Sequence, residues 1–262
     1  MTKQKSGRSY ESVVVDLNTQ RDFCEPDGAF PVANRDELLP AMRRVIAWVK
    51  RNHAPLVSSI EAHRPAEVGN NGHPVCCIDG TPGQAKIGFT LFSLRLLVEV
   101  DNTFALPLDL FKHWQQVLFR KRTEDLFTNP KADRLLTHLP VREYVLFGTG
   151  LERSVKAVGL GLLAREKTVT VVTDACGYWH KPTADLALRQ IGAKGANLIT
   201  VDELLTRRLD RRHRYKCNGV AQIWPNLNGR LNAPANARRG LPLPPRSGVV
   251  ERPRARGHDY QI

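Results

Sequence analysis

Several residues able to do chemistry lie where strands of this chain should end. Asp16 closes the β-branched run Ser12–Leu17, Glu61 and His63 follow the run 55–60, and Lys121 follows the short run 116–119. Asp174 closes a further run at 168–173. Gly148-Thr149-Gly150 closes another at 143–147, and Ser154 stands shortly after it at the head of a helical stretch. A serine hydroxyl with a positioned base could act as a nucleophile. The same serine could simply be a helix N-cap, for which its type is among the best. The five cysteines, Cys24, Cys76, Cys77, Cys176 and Cys217, are odd in number and form no framework. That pattern indicates reduced thiols and a cytoplasmic setting. Cys176 reads as a packed thiol near a strand end. Cys24, near Asp16 and Asp22, could be a displaced nucleophile.

These groups are far apart in sequence, so the elements between them must bring them together. Arg35–Arg51 places Leu38, Leu39, Met42, Val45, Ile46 and Val49 at helical spacing. Helices are also expected over 130–139, 154–165, 183–191 and 202–208, and a last strand over 197–200. Strands alternating with helices imply an α/β fold with a parallel sheet covered by helices on both faces, a three-layer α/β/α arrangement. In such sheets ligands bind beyond the carboxyl ends of the strands. Asp16, Glu61, Lys121, Gly148 and Asp174 all lie there. The stretch 61–88 is rich in Gly, Pro, Asn and His and reads as a long structured loop, a type that is often functional.

The bulk properties narrow the field. The 262 residues suit one domain with extra segments. No apolar run of about 18 residues exists, so no membrane span is expected, and the polar start has no signal-peptide core. The net charge is +13, but 13 of the 39 Lys/Arg and only three of the 26 Asp/Glu fall in 207–262. The basic character therefore belongs mainly to the tail. The expected organisation is a domain over 1–211 and a disordered, basic Pro/Gly/Arg-rich tail over 212–262. The tail could contact nucleic acid non-specifically through its charge.

From about Ser12 to about Leu209 the sequence resembles the isochorismatase-like superfamily of cysteine hydrolases, which includes nicotinamidases and related amidohydrolases. The carrying motifs are VVVDLNTQRDFCEPDGAF, IEAHRP, HPVCCIDGTPGQ, FRKRTEDLF, FGTGLERSV and VTDACGYWHKPTADLALRQIGAKGANLIT. The resemblance implies Asp16 as the acid/base, Lys121 as its electrostatic partner and a cis peptide at Thr149–Gly150 that helps form an oxyanion hole. It implies a small-molecule substrate with an amide or related C–N bond, and self-association into a homo-oligomer. Phe23, Phe127 and Trp179 could line an aromatic substrate pocket.

The chain departs from the family pattern at the decisive point, where Ser154 stands in place of the nucleophilic cysteine. A hydroxyl is far less acidic than a thiol and needs a stronger base. Three outcomes stay open: a divergent hydrolase using Ser154, a water-attack hydrolase without an acyl-enzyme, and a catalytically silent member that binds a small ligand or a protein. The resemblance also implies a divalent-metal site, altered here with Glu61 in place of an aspartate and Cys76 in place of a histidine beside His63; all three are competent zinc ligands, and His73 is close by in sequence.

Overall fold

The computed structural model describes residues 9–65, 74–101, 103 and 105–209. Seven strands form one sheet in the order β3-β4-β2-β1-β5-β6-β7. They are β1 (Tyr10–Leu17), β2 (Leu56–Glu61), β3 (Arg95–Val98), β4 (Gln116–Lys121), β5 (Val141–Thr149), β6 (Val169–Gly177) and β7 (Asn197–Ile199). Every paired neighbour is parallel. The helices are α1 (Arg21–Cys24), α2 (Arg35–Asn52), α3 (Pro130–His138), α4 (Lys156–Leu163), α5 (Lys181–Ala193) and α6 (Val201–Thr206). The α/β fold with a parallel sheet is thus observed as expected.

Strand β1 is buried almost throughout because the sheet is covered on both sides. Val13, Val15 and Leu17 pack on one side with Leu135, Val158 and Leu162. Val14 packs on the other with Met42, Trp48 and Val49. This near-continuous apolar run is what a doubly covered parallel strand requires. Helix α2 buries Leu38, Met42, Val45, Ile46 and Val49 along one stripe and stops where His53 turns left-handed (φ 51°). Helix α3 starts on Asn129, whose side chain accepts from the Lys131 and Ala132 amides. Thr200 and Glu203 form a capping box on α6.

Two local differences from the sequence expectation matter. The short edge strand β3 was not foreseen, because Arg95–Val98 is only four residues long and carries little alternation. The helix expected to begin at Ser154 begins earlier, as a wide π-type turn over Leu151–Val155 that runs into α4. The cap of that turn is Gly150, left-handed at φ 80°. Ser154 is therefore inside the helical turn and is not an N-cap. The expected tail, 212–262, lies outside the described residues, as do His73 and Cys217.

The topology fixes where a site can form. From β1 the chain adds β2, then the edge strand β3 and, between those two, β4, before it crosses back to β5 on the other side of β1. The β1/β5 boundary is the switch point, where the loops leaving two adjacent strands diverge and leave a crevice. Asn18 follows β1 there, and Ser154 follows β5.

Candidate active site

Four side chains meet at that crevice: Asn18, Glu61, Lys121 and Ser154. Glu61 and Lys121 are direct cross-strand partners at the ends of β2 and β4, so the sheet register itself places their charges together. Lys121 Nζ lies 3.0 Å from Glu61 Oε1 and 3.2 Å from Ser154 Oγ. It also donates to the carbonyls of Thr123 and Glu124, at 2.8 and 3.0 Å. Ser154 Oγ lies 3.4 Å from Glu61 Oε1. All four groups are buried, Ser154 to 1% exposure and Lys121 to 0%.

Asn18 completes the cluster. Its Nδ2 donates to Glu61 Oε1 at 2.7 Å and to Ser154 Oγ at 2.9 Å. Its Oδ1 accepts from Ser59 Oγ at 2.8 Å. A carboxylate can only accept, so this network fixes which end of the amide faces Glu61. Asn18 adopts φ 51°, a left-handed conformation that asparagine tolerates better than most residues. Thr149 Oγ1 donates to the Asn18 carbonyl at 2.6 Å and ties this turn to the end of β5.

Asp16 does not join the cluster. Its carboxylate is fully buried and accepts from Thr19 Oγ1 and Ser58 Oγ at 2.8 and 2.9 Å. Lys86 Nζ lies 2.8 Å from Asp16 Oδ2, the oxygen that also accepts from Ser58, and the lysine side chain is 1% exposed. The expected Asp16–Lys121–Ser154 grouping is therefore corrected. Lys121 and Ser154 meet, Asp16 pairs with Lys86, and the side chain that β1 delivers to Ser154 is Asn18. Lys86 was not anticipated, since it lies in the irregular stretch 74–92. The clue to Asn18 was its place just beyond the strand end, where a left-handed turn redirects a side chain.

The Glu61 carboxyl is set by opposing effects. Burial pushes it up, but the Lys121 charge and then His63, whose Nε2 is 3.0 Å from Oε2, bring it down to about 2. Gln20 holds the same strand end, accepting from the Glu61 amide at 2.8 Å and donating to its carbonyl at 2.9 Å.

The other expected site residues are placed as follows. The Thr149–Gly150 peptide is trans, and the Gly150 N–H donates to the Gly177 carbonyl at 2.9 Å. Gly150 therefore offers no donor to an oxyanion, contrary to expectation. The neighbouring Gly148 is needed for space, because a Cβ there would sit 2.1 Å from the Leu17 carbonyl oxygen. Phe23 and Trp179 do meet edge to face at 5.3 Å between centroids, and Trp179 stacks on Phe30 at 4.5 Å. Phe127 is elsewhere, packed beside Gly161 with the Arg165 guanidinium 3.8 Å over its ring. Cys24 is buried and its thiol is pushed up to about 12 by burial. Burial also raises the Cys176 thiol. Neither is poised as a nucleophile.

Glu61, His63 and Cys76 do not form a metal site. Among the described residues no group of three His, Cys, Asp or Glu could hold an ion. Glu61 Oε1 already takes Lys121 and Asn18, and Oε2 takes His63. Lys121 and Asn18 occupy one carboxylate oxygen, which leaves Glu61 Oε2 and His63 as two donors without a third among the described residues, so this donor set falls short of a divalent-cation site. No described helix is long and apolar enough to cross a membrane.

The family model described as the isochorismatase domain matches residues 12–203. No curated protein sequence matches the chain significantly. Among solved structures, an isochorismatase-like hydrolase from Alkaliphilus metalliredigens is 17% identical, with a TM-score of 0.60 over 75% of this chain and 98% of that one. A pyrazinamidase of Pyrococcus horikoshii in complex with zinc is 22% identical, with a TM-score of 0.57 over 72% of this chain and 99% of that one. An N-carbamoylsarcosine amidase from Thermoplasma acidophilum is 18% identical, with a TM-score of 0.56 over 73% and 97%. At these identities the likeness is one of fold.

Proposed function

The chain belongs to the isochorismatase family, whose domain it carries over residues 12–203, and from that premise we propose that it is a member without acyl-enzyme chemistry, whose site binds a small amide-like molecule rather than hydrolysing it. One observation carries this reading: no group in hydrogen-bond reach of Ser154 Oγ is a useful base. Asn18 is an amide and cannot take a proton. Glu61, at about 2, is too weak a base to draw a proton from a hydroxyl near neutral pH.

Lys121 fails for a different reason. Its Nζ faces three groups that can only accept: the Glu61 carboxylate and the carbonyls of Thr123 and Glu124. Donating to all three uses every N–H of an ammonium and leaves no lone pair for a proton from Ser154. Asp16, the expected acid, has its carboxylate engaged by Lys86, Thr19 and Ser58. The ligand class is inferred from similar structures that bear amidase names.

The test is a hydrolysis assay on nicotinamide with wild type, Ser154→Cys and the double variant Asn18→Asp/Ser154→Cys. No turnover is expected from wild type, and turnover is expected only when a thiol and an acid are both supplied. Wild-type turnover that disappears in Ser154→Ala would overturn the proposal. Equilibrium dialysis of nicotinamide against wild type tests the binding half directly.

The 3.2 Å Lys121–Ser154 contact favours one second reading, a serine–lysine hydrolase. It requires Lys121 to release one acceptor when substrate arrives. It predicts wild-type turnover that is lost in both Ser154→Ala and Lys121→Met.

A further inference from the structure

A cavity of about 420 Å³ lies at the other end of the sheet, in the size range of small-molecule sites. It opens between the starts of β1 and β5 and the ends of α2 and α6. Ser154 follows the far end of β5. From Glu143 to Thr149 that strand rises roughly 20 Å, so the two places are separate.

The chemistry of the walls is mixed. Trp48, Val145, Leu204 and Leu209 supply apolar surface, while Arg142, Arg207 and Arg208 bring three guanidinium groups. Glu143 is already satisfied. It takes Arg207 Nη1 at 3.0 Å, Ser12 Oγ at 3.4 Å and the hydroxyl of Thr170. Its charge and that of Arg207 therefore cancel. Arg207 is itself anchored, because its carbonyl accepts from Trp48 Nε1 at 3.0 Å. Arg142 and Arg208 differ: neither has an ion-pair partner among the described residues, and both are exposed. Glu11 also lines the cavity and is engaged in an interaction of its own.

We infer that this cavity is a second ligand site, for a small organic carboxylate with an apolar body. The apolar walls would take the body. The guanidinium forks of Arg142 and Arg208 match a carboxylate in shape and charge. A neutral ligand of the same shape would gain only the apolar contact. This site is independent of the reading given for Ser154.

Isothermal titration of the full chain with benzoate, and with benzyl alcohol as the neutral, non-amide counterpart, tests the inference. Benzoate should bind, and benzyl alcohol at least tenfold more weakly. Arg142→Gln/Arg208→Gln should weaken benzoate at least tenfold. Both side chains are exposed, so the variant should keep the wild-type circular dichroism spectrum and melting temperature. Ser154→Ala should leave benzoate affinity unchanged, which separates this site from the crevice at the other end. The inference is overturned if benzoate fails to bind at millimolar concentration, if benzyl alcohol binds as well, or if the double arginine variant binds benzoate like wild type. Loss of benzoate binding in Ser154→Ala would overturn it as well.

Discussion

Asn18 Nδ2 sits 2.9 Å from Ser154 Oγ and, with its second hydrogen, 2.7 Å from Glu61 Oε1. One amide thus bridges the hydroxyl and the carboxylate, and it does so where an acid would be needed to activate the serine. The consequences for stability are as specific as those for catalysis.

Replacing the bridging amide by a carboxylate should be costly. In Asn18→Asp a donor to Glu61 becomes a second acceptor at hydrogen-bond distance. The lost bond and the like-charge contact should cost about 1–3 kcal/mol. Protonation of one carboxyl relieves the repulsion, so the deficit should be larger at pH 8 than at pH 5. Urea denaturation at both pH values measures it, and an equal deficit would show that the two groups do not interact.

Glu61 should make stability depend on acid pH. Its carboxyl falls from an ordinary 4.5 to about 2, burial being outweighed by Lys121 and His63. A carboxyl depressed in the folded state stabilises fully above its unfolded value and loses that effect as pH falls towards the folded value. The difference corresponds to a contribution on the order of 3 kcal/mol. The stability gap between wild type and Glu61→Gln should therefore be widest at neutral pH and narrow between pH 4.5 and 2. A constant gap would contradict the assignment.

Asp16 should behave as a structural residue. Asp16→Asn leaves the Lys86 ammonium buried without a counter-charge, which typically costs about 3–5 kcal/mol. Asp16→Asn/Lys86→Met removes both charges and should recover much of that loss. A thermal melt of the two variants beside wild type is sufficient. No recovery in the double variant would mean that the ion pair is not the source of the loss.

The basic tail should account for any salt-sensitive binding of nucleic acid. Ten of the 39 Lys/Arg lie in 212–262. Fluorescence anisotropy with a double-stranded DNA probe should show binding that weakens steeply between about 50 and 200 mM salt. Deleting everything after Arg211 should abolish it. Undiminished binding by the truncated chain would place the contact elsewhere.

The sequence by itself determined the alternation of strands and helices, and hence the parallel sheet. Doubly covered strands need runs such as Val13–Leu17, and helices need stripes such as Leu38–Val49. It also singled out Glu61 and Lys121, because residues at strand ends must face one edge of the sheet, and the family resemblance singled out Ser154. Only the tertiary structure decided between Asp16 and Asn18. The two residues are close in sequence, and side-chain alternation governs a residue inside a strand but not one in the turn that follows it. Asp16 is still within β1 and faces Ser58, its cross-strand partner in β2. Asn18 lies beyond the strand at φ 51°, and that turn aims its amide at Ser154. The Lys86 partner of Asp16 comes from a segment with no regular pattern, so no local signal could announce it. The same holds for Ser154, which is placed inside the turn by the left-handed Gly150 rather than at its cap.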